Sequence, residues 1–148
     1  MQNVGMDTPI RELSTDESWA LLASAGFGRL AVVLGGAPDI FPVNYVVDAG
    51  SILFRTAEGT KLFAATVRPT VAFEVDDYDH AGGWSVVVKG ECEVLEHEAD
   101  ILAADAAGLS PWVPTVKEHY VRITATEVTG REVTFGADPG RSIPEGAA

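Results

Sequence analysis

The sequence predicts a mainly β fold with a few short helices, its core an antiparallel sheet of six strands closed into a small barrel. Three observations carry that prediction. Apolar and polar residues alternate with period two, most clearly from Val86 onward, where Val86, Val88, Cys92 and Val94 face one way and Lys89, Glu91 and Glu93 the other. The connections are short and rich in Gly, Pro and Asp, which favours antiparallel neighbours. Gly90 interrupts the longest alternating run, as a bulge or barrel bend would, and closure removes exposed sheet edges.

The elements follow in order. Residues 1–12 read as a flexible N-terminal arm. Ser14 and Glu17 have capping-box spacing and open a helix whose apolar face is Trp19, Leu22 and Ala23, stopped by Gly26. Phe27 to Leu34 is the first strand, Gly35 to Asp39 a hairpin turn, and Ile40 to Val47 the return strand. Ser51 to Thr56 is the third strand. A short helix covers Gly59 to Val67, ended by Pro69. Thr70 to Asp77 is the fourth strand, with Val71, Phe73 and Val75 on one face. Trp84 to Glu96 is the fifth. Glu98 to Ala107 is an Ala-rich helix and Gly108 to Pro114 a loop. Tyr120 to Phe135 is a sixth strand region, broken near Thr129 and Gly130. Residues 13–136 form one domain, and 137–148 a flexible tail.

Composition narrows the function. Ten Lys and Arg stand against 22 Asp and Glu, a formal net charge of -12. Such a chain does not attract nucleic acid or anionic membrane non-specifically. One cysteine, Cys92, excludes an intrachain disulfide and a zinc site of Cys pairs. No segment is apolar and long enough to span a bilayer, and the first twelve residues lack the pattern of a signal peptide. The expected location is the cytoplasm.

Against this acidity, Arg55 and Lys61 stand with the hydroxyls of Thr56 and Thr60 at a strand-to-helix junction, and Arg68 lies a little further along. A helix start that adds cations and hydroxyls can hold a phosphate. The competing reading of Thr60 and Lys61 is an ordinary helix start with a solvated lysine. Arg55 and Thr56 are adjacent on a strand, so their side chains face opposite ways. Asn44 and Tyr45 alternate likewise, one toward a ligand and the other into the barrel. Trp84 either stacks on a ring or seals a contact between subunits. His80 beside Asp76, Asp77 and Asp79 reads as a solvated turn rather than a metal site, and no metal is expected.

Several motifs occur in a telling order: Gly28-Arg29-Leu30-Ala31, Phe41-Pro42-Val43-Asn44-Tyr45, Phe54-Arg55-Thr56, Gly59-Thr60-Lys61, Val71 to Asp76, and Gly83 to Gly90. Together they resemble the pyridoxamine 5'-phosphate oxidase-like family of flavin-binding split barrels, in the branch that includes nitroimidazole-resistance-type proteins. The resemblance covers residues 12 to 136. It implies a six-stranded antiparallel Greek-key split β-barrel and a homodimer with flavin mononucleotide (FMN) at the subunit interface. The phosphate would lie against Arg55, Thr56, Thr60 and Lys61. Val43, Asn44 and Tyr45 would run beside the isoalloxazine ring, largely through backbone groups. Trp84, Ser85 and Val86 would approach from the partner subunit.

The true oxidases are longer and end in a basic, aromatic segment, whereas the tail here reads Ala137-Asp138-Pro139-Gly140-Arg141-Ser142-Ile143-Pro144. That difference argues against pyridoxamine phosphate as substrate. The resemblance implies an FMN-binding oxidoreductase acting on an unidentified small molecule. The alternatives are a non-catalytic flavin-binding or storage module and a deazaflavin-dependent reductase. No catalytic residue is assigned, because a flavin carries the difficult step itself.

Overall fold

A computed structural model describes residues 9–57, 60–66, 70–109 and 119–136. The arm before residue 9, Arg68, the loop after Leu109 and the tail from Ala137 lie outside the described residues.

Helix α1 (Thr15–Ser24) begins where the capping box requires it. Ser14 Oγ accepts from Glu17 N–H and Glu17 Oε1 accepts from Ser14 N–H. It ends on Ala25, which is extended, rather than on a left-handed glycine. Its buried residues are Ser18 and Leu22, with Trp19 packed beside the core and Ala23 exposed. Ser18 replaces Ala23 on the inner face because it lies over Gly130, where a Cβ would meet Ser18 Oγ and the side chain of Leu13.

Among the described residues, eight strands form one sheet, two more than expected. They are β1 (Ile10–Leu13), β2 (Phe27–Leu34), β3 (Ala37–Asn44), β4 (Val46–Asp48), β5 (Ser51–Thr56), β6 (Thr70–Tyr78), β7 (Gly82–Val94) and β8 (His119–Thr134). The extra strands have local causes. The end of the expected arm pairs with β8, Ile10 against Val133. The single return strand divides at Tyr45, because its two halves serve opposite edges. The sheet order is β3-β2-β6-β7-β8-β5-β4, so β3 and β4 are its two ends, yet Tyr45 alone separates them in the chain. One segment thereby passes from edge to edge and curls the sheet into a split barrel. Tyr45 N–H holds the crossing by donating to Gly26 O at 3.0 Å.

The β2–β3 hairpin turns on Gly35 and Gly36, with φ of 58° and 83°. Two left-handed residues match the twist of the flanking strands. Gly90 marks the irregularity of the longest ladder, but the extra residue is on the other strand. Lys89 faces Glu127 while Gly90 faces Ala125, leaving Thr126 as the bulge of β8. Its hydroxyl donates to Lys89 O at 3.1 Å. The inward set on β8 then changes from Val121, Ile123 and Ala125 to Val128. The strand runs unbroken through Thr129 and Gly130.

The barrel interior holds Leu30, Phe54, Phe73, Val86, Val88 and Ile123, all fully buried. Outside it, α3 (Glu98–Ala106) covers a second cluster of Leu53, Leu95, Ala104 and Tyr120. Strand β5 is therefore buried on both faces, which explains its apolar Ile52-Leu53-Phe54 run. Helix α2 (Lys61–Ala65) is shorter than the expected 59–67.

Candidate functional site

The junction after β5 is built by threonines. Thr60 is the N-cap of α2; its hydroxyl donates to Ala57 O at 2.7 Å and accepts from Phe63 N–H at 3.0 Å. With its one proton spent on Ala57, it accepts from Thr56 Oγ1 at 3.3 Å. Thr56 is buried. Both hydroxyls thus take part in hydrogen bonds that shape the junction, Thr56 buried and Thr60 exposed at the start of α2. Helix α2 has only five residues, so its dipole adds little. The outward cation is Lys61, exposed at the first position of α2. Glu58 and Gly59, in the middle of the junction, lie outside the described residues.

Arg55 and Thr56 face opposite ways, as adjacent strand residues must. Arg55 shares the outer face with Leu53, and its guanidinium carbon lies 5.0 Å from the centre of the Tyr120 ring. Thr56 faces the barrel mouth, where its ladder partner is His119. The His119 ring packs on Phe63 of α2, with centroids 5.0 Å apart. No local pattern in the sequence marks His119. It belongs to this group only through the β5–β8 pairing, more than sixty positions apart in the chain.

The second group divides by side-chain direction. Val43, Tyr45 and Val86 are buried in the core, so only their backbones can face a ligand. For Tyr45 the cause is specific. Its hydroxyl donates to Leu22 O at 2.6 Å, its ring meets Phe73 edge-on at 5.0 Å, and burial pushes its phenol far above the ordinary value. Asn44 is half-buried at the end of β3, paired with Phe27. The chain leaves it for β4, whose Val46 pairs with Leu53, two residues from Arg55.

Trp84 is half-buried against the core and borders a cleft of about 460 Å³ with Asp77, Gly83 and Glu132. Ser85 faces outward, into a groove of about 520 Å³ lined by Ile10, Glu12, Val87, Thr129 and Arg131. Along β8 the two groups sit at opposite ends, Arg55 against Tyr120 and Ser85 against Arg131.

Level with Ser85 on the neighbouring strand is a carboxyl pair. Glu74 is pushed up to about 7 by burial and by a hydrogen bond with Asp76, while Arg29 pulls the other way from 3.0 Å. In the turn after β6, Asp79 Oδ1 accepts from Ala81 N–H and Gly82 N–H, so that carboxylate serves the turn. Cys92 is pushed up to about 12 by burial, as an inert core thiol is.

Residues 14–132 match the model of the pyridoxamine 5'-phosphate oxidase family. The chain belongs to that family. As a member it has the flavin-binding split-barrel fold, and its relatives agree. A Mycobacterium tuberculosis protein described as uncharacterized is 48% identical over 97 residues, covering 66% of this chain and 88% of that one. An FAD-binding protein from Mycobacterium smegmatis superposes with a TM-score of 0.78 at 45% identity, over 85% of this chain and 100% of the other. An FAD-binding protein from Mesorhizobium loti gives 0.73 at 27% identity, over 85% and 99%. Among the described residues, no helix of this family member is long and apolar enough to cross a membrane.

Proposed function

We propose that this protein is a flavin-dependent oxidoreductase that holds FMN between two copies of the chain. The observation that carries the flavin part of this reading is the 45% identity to a protein named as FAD-binding, matched along that chain's whole length. The geometry supports a place for the phosphate. Arg55 and Lys61 put two positive charges at one end of β5 in a chain whose net charge is -12. Phosphate recognition needs such local charge. The backbone of Val43 to Tyr45 offers a flat wall for a planar ring, and Asn44 the polar side chain beside it.

A second copy completes the site in this reading. Trp84 and Ser85, on β7 beside the far end of β8, meet the junction of the partner in this reading, and the groove beside Ser85 receives it. A bound flavin supplies hydride transfer between a donor and a small acceptor. The chain's own residues bind the phosphate, orient the ring and exclude water from one of its faces. A second reading places flavin adenine dinucleotide on the same contacts, since it shares the riboflavin phosphate; the names of both FAD-binding relatives favour it.

The test is an absorbance spectrum and mass analysis of the mildly purified protein, then titration with FMN, flavin adenine dinucleotide and a deazaflavin. A yellow protein reduced by a nicotinamide and reoxidised by an acceptor is the expected result. Flavin binding with no turnover would reassign it as a carrier. A colourless protein that takes up no flavin ends the proposal.

A further inference from the structure

The outer face of β5 carries a chain of contacts that runs away from the junction and ends on a helix. Arg55 and Tyr120 are ladder partners, and the guanidinium stands over the phenol ring at 5.0 Å. The Tyr120 hydroxyl donates to Asp105 Oδ1 at 2.5 Å. Asp105 is exposed on α3, which packs through Ile101 and Ala104 onto Leu53, Leu95 and Tyr120. Tyr120 itself is 7% exposed.

The physics of this chain of contacts is directional. A phenol that donates to a carboxylate becomes more electron-rich, which strengthens its attraction for a cation over the ring. The same hydrogen bond fixes the ring plane. An arginine resting on a fixed plane has lost much of its rotamer freedom before any ligand arrives, so less is lost when it meets an anion. Burial and Asp105 raise the Tyr120 phenol above its ordinary value while Arg55 opposes them, as a phenol set between a carboxylate and a guanidinium must show.

We propose that Tyr120 and Asp105 are positioning residues that hold Arg55 for the flavin phosphate, so that helix α3 governs how strongly this protein prefers phosphorylated over unphosphorylated flavin. The inference rests on the proposed role of Arg55 as a phosphate contact.

The experiment titrates the full-length protein with FMN and with riboflavin, and reads the ratio of the two Kd values. Riboflavin has the same ring and no phosphate. Arg55→Gln lowers the preference for FMN by about 10-fold, the value of a charge-assisted contact. Tyr120→Phe keeps the ring and its volume, and Asp105→Ala lies on an exposed helix face. Each lowers the preference by about 3-fold with riboflavin affinity unchanged, and neither has a further effect in the Arg55→Gln background.

A purely structural role would weaken both ligands together, and that outcome overturns the proposal. So does an unchanged preference in Tyr120→Phe and Asp105→Ala when Arg55→Gln lowers it. If Arg55→Gln itself changes nothing, the inference falls while flavin binding stands. If the unaltered protein binds neither ligand, the proposed function falls with it.

Discussion

Tyr45 shows how a residue in a ligand-facing motif can be occupied elsewhere. The residue is 2% exposed and its hydroxyl donates to the Leu22 carbonyl near the end of α1. Tyr45→Phe removes that hydrogen bond, leaving the carbonyl only the longer contact from Ala25 N–H at 3.4 Å, and costs about 1 kcal/mol, read from urea unfolding. Flavin affinity stays unchanged, because the side chain faces away from any ring on the Asn44 wall. A large loss of affinity with no loss of stability would reverse the assignment. Thr60 behaves similarly at the junction. Thr60→Ala removes the N-cap of α2 and costs about 1 kcal/mol, whereas Thr60→Ser restores it. The sequence alone shows that Arg55 and Thr56 diverge and that Ser14 caps a helix, since both facts need only neighbours in the chain. It does not show that the hydroxyls of Thr56 and Thr60 satisfy each other, or that His119 stands beside them. Those depend on where β8 pairs.

At the scale of elements, period two locates the inward faces of β6 and β7 residue for residue, because alternation is a local property, although β6 runs one residue past the expected end, to Tyr78. Irregularities are harder to assign. Gly90 is visible as a break, but the bulged residue is Thr126 across the ladder, and nothing in the β7 sequence points to it. Gly90 is required for close approach: a Cβ there would meet the Thr124 carbonyl oxygen, which is ladder backbone and has no room to move. Gly90→Ala therefore costs about 1–3 kcal/mol, measured as a lower urea midpoint.

The outer face of β6 gives a pH effect. Glu74 titrates at about 7 when folded and near its ordinary value of about 4.3 when unfolded. Between those values the folded protein binds more protons than the unfolded chain. Stability is therefore highest below the lower value and declines as pH rises through about 7. The melting temperature falls from pH ~5 to pH ~8, and Glu74→Gln flattens that fall. Arg29 keeps a partner in the variant, since Asp76 lies 3.6 Å from it.

At the scale of the whole molecule, the segment through Tyr45 closes the barrel and the charge surrounds it. Closure follows from the general cost of exposed edges, but its means does not: one segment serves both edges, and two strands joined by one residue look like a single strand in the sequence. The net charge of -12 sets a field against any phosphorylated ligand, whereas Arg55 and Lys61 act only at short range. Long-range repulsion slows approach, and local contacts hold what has arrived. Raising salt from about 10 mM to about 150 mM shortens the screening length from roughly 30 Å to roughly 8 Å. The association rate of FMN then increases, while that of riboflavin, which is uncharged, does not change. Stopped-flow quenching of flavin fluorescence measures both. An FMN rate that falls with salt would mean that the cations at the end of β5 already dominate the encounter, and that the acidic surface lies turned away from the path of entry.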